Sequence, residues 1–262
     1  MIPITNEKYW VPAIERADKV LKELSNYPNQ LRLIDLSKRL EINKSSLFSL
    51  LNTLEKLSWV TKDEGDKYSL GPSLGLFGSA YLSQFNLLQL FYKEAASSVS
   101  IVNEHIQLGV LLNDNVVYLG KVEGNTNVRL VTDPGMQFPA YASAIGKIQL
   151  IQFTKEELIN IFSKTEWEMK TPYTTKNIEE LYKKVQQAKQ NGYAIENQES
   201  ALGFHCVAAP IYNHENKIIA GVSFSMPTVS WESKKEIAKK EIIQLANRLS
   251  KLAGYLPDSK KF

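Results

Sequence analysis

Between residues 10 and 70 the apolar positions repeat at helical spacing in three short runs and then alternate. Ile14, Ala17, Val20, Leu21 and Leu24 fall on one face of a helix that Tyr27, Pro28 and Asn29 bring to an end. Leu33, Leu36 and Leu40 mark a second, shorter helix. Asn43 is placed to cap a third, in which Leu47, Leu50, Leu51 and Leu54 recur at i, i+3, i+4 and i+7. Residues 59–62 and 67–70 alternate as strands around the turn Asp63-Glu64-Gly65-Asp66. Three helices closed by a hairpin give the order of a winged helix-turn-helix, which sets one helix in a DNA groove.

The polar face of the third helix carries Lys44, Ser45, Ser46, Ser49, Asn52 and Thr53. Short hydroxyls and amides at the start of such a helix can meet phosphates or base edges without steric bulk. A plain solvated face is the alternative reading, and the elements on either side favour DNA. Lys62 and Lys67 flank the hairpin turn, within reach of backbone phosphates. The three acids of the turn would repel DNA, so its tip is expected to point away.

The pattern changes after Gly71-Pro72. Residues 73–84 read as a helix weakened by two glycines, and 86–102 as an apolar helix. Strands are predicted at 105–112 and 116–122 around Asn113-Asp114-Asn115, with another at 128–131. A buried helix is expected over 140–153, opened by the small residues of YASAIGK. Amphipathic helices follow at 154–163 and 177–191, then a strand at 193–196. A hairpin of 206–212 and 218–226 turns at His214-Glu215-Asn216, and a lysine-rich helix fills 231–255. This mixture indicates an α+β domain, so a small DNA reader is joined to a larger body of the kind that senses something.

Charge and chemistry narrow this picture. The 262 residues suit one or two domains, and the net charge is +3. Residues 1–70 hold eleven Lys/Arg against ten Asp/Glu, so DNA affinity must come from charge placement rather than bulk. The lone cysteine, Cys206, excludes an intrachain disulfide framework. The first residues do not read as a signal peptide, and no apolar run reaches the roughly 18 residues of a membrane span. A cytoplasmic protein without membrane association is the expectation. The histidines His105, His205 and His214 are scattered, and no phosphate loop, HExxH or GxSxG motif occurs. Neither metal, cofactor nor catalytic residue is expected, and Cys206 reads as a small buried side chain.

One cluster in the second part does suggest binding. Ser143-Ala144-Ile145-Gly146 stands at a loop-to-helix start, where amides lacking helix partners favour an anion. Ser223 and Ser225 share one face of a strand. Glu196-Asn197-Gln198-Glu199 lies between them in sequence, followed by Gly203 and Cys206. Such groups around an apolar cavity suit a small polar ligand such as a carboxylate. The other reading is a strand of small residues under a helix.

Several segments in order resemble the IclR family of regulators: IERADKVLKEL, LRLIDLSKRLEINKSSLFSLLNTLEKLSWV and KYSLGPSL, then VVYLGKVE, PAYASAIGKIQL, GYAIENQESALGFHCVAAPIY and IAGVSFSMP. GFHCVAAP is the most specific of them. The resemblance spans about Ile14 to Thr228. It implies a winged helix-turn-helix over residues 1–72, a linker helix over 73–90 and a GAF-like effector-binding domain over 91–262. It also implies a homodimer or tetramer that binds double-stranded operator DNA, represses or activates catabolic operons, and responds to a small organic acid. Carried over position by position, ligand contacts fall on Phe138, Ala144, Ile145, Glu196, Phe204, Cys206, Ser223 and Ser225.

The chain departs from the family pattern at five of these or neighbouring positions. Ser49 replaces a usual arginine, removing a bidentate reader of guanine. Glu41 stands where glycine is common between the two helices. Glu196 replaces a frequent aspartate, and Ile145 and Phe204 are bulky for a pocket wall. Two other readings stay open at this point: an enzyme with an interaction domain, and a DNA-binding protein whose second domain serves only oligomerisation.

Overall fold

Pro12 opens helix α1 (Pro12–Asn26), where its missing N–H would lack a helical partner in any case. The computed structural model describes residues 10–84, 86–126 and 132–256, which separate into two compact units, the second beginning at Asn86. In the first unit α1 buries Ala17, Val20 and Leu24. Ile14, expected on that face, is 65% exposed, because it lies in the first turn, outside the cluster that closes around the other three. A two-residue strand β1 (Leu31–Arg32) follows, too short to show alternation in sequence. It leads into α2 (Leu33–Leu40). Glu41 ends α2 in the left-handed region, φ 56° and ψ 33°, at a strain of order 1 kcal/mol that glycine would avoid.

Helix α3 (Lys44–Lys56) is capped by Asn43, whose Oδ1 accepts from the Ser46 amide at 2.9 Å. Leu47, Leu51 and Leu54 bury against Leu36 and Tyr68, while Leu50 is half-buried. Strands β2 (Val60–Lys62) and β3 (Lys67–Leu70) pair antiparallel, with β1 on the far side of β3. Trp59, expected in the first of these strands, precedes it. Helix α4 (Pro72–Gln84) completes the unit.

The second unit starts with α5 (Leu87–Val102), capped by Asn86, so helix 86–102 is separate from α4. Its sheet contains β4 (His105–Leu112), β5 (Asn115–Val122), β6 (Gln137–Pro139), β7 (Ala194–Asn197), β8 (Phe204–Tyr212) and β9 (Ile218–Pro227). The strands are antiparallel in the order β6-β5-β4-β9-β8-β7. The strand expected at 128–131 lies outside the described residues.

Alternation divides the sheet into two faces. Ile106 and Leu108, Val207, Ala209 and Ile211, and Val222, Phe224 and Met226 pack against α5 and the final helix α9 (Thr228–Leu252). The opposite face meets α6 (Ala144–Leu150), α7 (Lys155–Ile161) and α8 (Ile178–Asn191). The buried helix expected over 140–153 is shorter than the apolar run. Residues Ala140–Ala142 form a 3-10 turn, and Ser143 is extended, so α6 starts only at Ala144. Gly146 permits this close turn: a β-carbon there would lie 2.2 Å from the Ala140 carbonyl oxygen.

Candidate functional site

The inner face of the sheet turns polar where three strands meet. Gln107 on β4 stands opposite Ser223 on β9, and Cys206 on β8 opposite Ser225. The Ser225 hydroxyl donates to Gln107 Oε1 at 2.9 Å and lies 3.1 Å from the Cys206 sulfur, and Gln107 in turn donates to Thr132. Above this row sits the start of α6. Ser143 Oγ accepts from the Gly146 amide at 2.9 Å, and the amides of Ala144 and Ile145, first in the helix, have no preceding helical acceptor. Between these layers lies a cavity of about 300 Å³.

All eight positions carried over from the family resemblance line this one cavity: Phe138, Ala144, Ile145 and Glu196 together with Phe204, Cys206, Ser223 and Ser225. The bulk of Ile145 does not close it. Gly109 and Gly221 face each other across β4 and β9, and a β-carbon on either would come within 3.3 or 3.2 Å of Ile145 Cγ2. The isoleucine therefore sinks toward two glycines. Gln107, Tyr118, Thr132 and Ser200 also line the wall, and sequence reasoning missed them. Gln107 was legible as the polar partner of Ser223 within an apolar strand. The others depended on tertiary placement.

Among the described residues, one carboxyl lines the cavity. Glu196 is fully buried, and its Oε1 accepts from the Ser200 amide at 2.9 Å and from the Glu199 amide. Its Oε2 is buried without a geometrically formed hydrogen bond, and the Cys206 thiol, a weak donor, lies beside the carboxyl. Burial raises the pKa of Glu196, against the lowering pull of Lys147 and the Ser200 amide. Burial also pushes the Cys206 thiol up, which keeps it protonated and a poor nucleophile. Tyr118 is raised by burial too, so its phenol stays neutral.

Behind the cavity, Lys147 of α6 places Nζ 2.5 Å from Glu199 Oε1. Glu199 Oε2 accepts from Thr175 at 2.6 Å and Lys184 at 3.0 Å. Burial works to raise Glu199, but Lys147, Thr175 and Lys184 outweigh it and hold the group below the usual carboxylate range. Burial lowers Lys147, and the two glutamates oppose that shift. Among the described residues no cluster of histidine, cysteine or acid is arranged to hold a metal ion.

In the first unit, Lys44, Ser45, Ser49 and Thr53 are exposed along α3, and Ser46 and Asn52 are half-buried. Two hydroxyls are already engaged: Ser45 donates to Asn43 Oδ1 and Thr53 to the Ser49 carbonyl, each at 2.9 Å. Lys62 pairs with Asp66 at 2.5 Å, and Asp63 accepts from the Gly65 and Lys67 amides. One of the three turn acids, Asp66, is therefore paired with a cation, and a second, Asp63, is held by backbone amides. Lys67 is half-buried beside them.

A winged-helix reader on one unit and a largely apolar cavity with one polar patch inside an α+β body define a ligand-responsive transcriptional regulator. The sequence carries both parts of one family: residues 13–64 match the IclR helix-turn-helix domain, and residues 79–251 the C-terminal region of the bacterial transcriptional regulator IclR. The chain belongs to the IclR family of DNA-binding transcriptional regulators, with an N-terminal helix-turn-helix and a C-terminal effector-binding domain. It is 30% identical over 231 residues to the HTH-type transcriptional regulator KdgR of Dickeya chrysanthemi, covering 86% of this chain and 75% of that one. It is 29% identical over 247 residues to XynR of Escherichia coli, covering 94% and 98%. The crystal structure of the Agobacterium tumefaciens repressor BlcR superposes with a TM-score of 0.80 at 25% identity, covering 94% of this chain and 98% of that one.

Proposed function

We propose that a small organic acid enters the cavity of the second unit and thereby sets the affinity of α3 for operator DNA. The observation that carries this reading is the unpartnered Oε2 of Glu196 on the cavity wall. A buried polar atom without a partner costs about 1–3 kcal/mol, which an oxygen of the ligand would recover. With both amides on Oε1, a proton on Glu196 would sit on Oε2 and donate to that oxygen. The hydroxyls of Ser223 and Ser225 and the amides of Ala144 and Ile145 would meet the rest of the carboxylate.

In this reading the protein works as a dimer or tetramer in the cytoplasm. Two copies of α3 meet operator half-sites at one fixed spacing, with Lys44, Ser45, Ser46, Ser49, Asn52 and Thr53 toward bases and phosphates and Lys62 and Lys67 toward the backbone. A ligand that binds DNA-competent and incompetent arrangements differently shifts their populations, with residues 73–90 as the connection. The names of some relatives, including BlcR, favour repression.

The test is a thermal-shift series with small carboxylates and their uncharged analogues, such as lactate against lactamide and gluconate against glucitol. Stabilisation by an acid, absent with its neutral analogue, weakened in Ser223→Ala and lost in Glu196→Ala, supports the reading. Equal stabilisation by acid and neutral analogue, or stabilisation untouched by both substitutions, contradicts it.

A further inference from the structure

The exposed face of α3 is not wholly polar. Phe48 is 53% exposed, and Ile34 on α2 is 42% exposed. Neither belongs to the core cluster that Leu47, Leu51 and Leu54 form. Phe48 lies one turn after Lys44 and one turn before Asn52, with Ser49 beside it, so it stands in the middle of the stripe expected to meet DNA. Its ring and Ile34 line a groove of about 320 Å³, together with Tyr68 and the cations Arg32, Lys44 and Lys62. The acid in this lining, Asp66, is paired with Lys62 at 2.5 Å.

The groove therefore joins an apolar surface to an excess of positive charge. Phosphates match the cations. The apolar feature that duplex DNA offers at its major-groove edge is the 5-methyl group of thymine. Serines on either side are too short to compete with the phenyl ring for the same base edge. We infer that Phe48 reads a thymine by packing on its 5-methyl group, while Arg32 and Lys44 hold flanking phosphates. The assignment rests on the DNA-reading role of α3 and names the base class that this chain selects.

The experiment is selection of binding sites from a random-sequence duplex pool by the full-length chain and by Phe48→Ala, followed by replacement of each selected thymine with deoxyuridine. The wild type is expected to fix at least one thymine whose replacement weakens binding about fourfold, the loss of one buried methyl. Phe48→Ala, which keeps the helical circular dichroism because Phe48 lies outside the core, no longer distinguishes thymine from deoxyuridine there, and Phe48→Leu retains part of the difference. Selection of the same sequence by Phe48→Ala with an unchanged thymine-to-deoxyuridine ratio overturns the thymine contact alone. Failure of the wild type to enrich any sequence overturns the reading of α3 as a base reader, and this assignment with it.

Discussion

Lys147 Nζ lies 2.5 Å from Glu199 Oε1, and neither side chain is more than 5% exposed. Removing one member of a buried pair leaves the other charge uncompensated, at about 3–5 kcal/mol. Glu199 keeps Thr175 and Lys184, so Lys147→Met is expected near the lower end, about 3 kcal/mol. Urea unfolding measures it, and the double variant Lys147→Met/Glu199→Gln should recover much of the loss. A single-variant cost under about 1 kcal/mol would show the pair to be energetically idle.

The two glutamates give opposite pH dependences. Glu199 is held below its unfolded value, so its stabilisation is complete above that value and is lost as pH falls through the folded one. Glu196 is raised by burial and takes its proton earlier on acidification. A bound carboxylate beside Glu196 favours that proton. Affinity for a small acid should therefore fall as pH rises through the folded value, with proton uptake on binding. Calorimetry in buffers of different ionisation heat detects this uptake, and Glu196→Gln should abolish it. Binding without proton uptake in the wild type contradicts the placement of the carboxylate.

Gly146→Ala forces a β-carbon to 2.2 Å from a backbone oxygen that no rotamer change can move. We expect a loss of about 3 kcal/mol and failure of acid binding, because α6 must shift off the cavity. Gly78→Ala in α4 is the contrast: a β-carbon there meets nothing within 4 Å and φ is not left-handed. That change should stabilise by about 0.5–1 kcal/mol in thermal unfolding. Equal effects of the two would refute the packing argument.

Asn43→Ala removes the acceptor of the Ser46 amide and is expected to cost about 1 kcal/mol. Because Ser45 also bonds Asn43, the first turn of α3 loosens where it would meet DNA. Asn43→Asp should retain the cap and most of the stability. Equal loss in both variants would mean that the cap contributes nothing.

The sequence made the reader legible because α3 carries a long leucine repeat and a capping residue, both local signals. It did not show β1 or β6, two and three residues long, since alternation needs more positions to register. Ser223 and Ser225 were visible as a same-face pair, whereas Tyr118 and Thr132 reach the cavity only through pairing and loop placement. The helix expected from residue 140 was overestimated because a buried 3-10 turn carries the same apolar residues as a buried helix. The unpartnered oxygen of Glu196 is invisible to any pattern, since it depends on which atoms fail to meet.

The most direct test of the account is fluorescence anisotropy of the full chain against DNA from upstream of its own gene, with random duplex as control, a salt titration, and a stabilising acid added or withheld. A specific Kd of about 10⁻⁸ M or tighter, roughly a thousandfold below that for random DNA, is expected, with a shift when the acid is present. Equal, steeply salt-dependent binding to both duplexes, unaffected by an acid that demonstrably occupies the cavity, would contradict it.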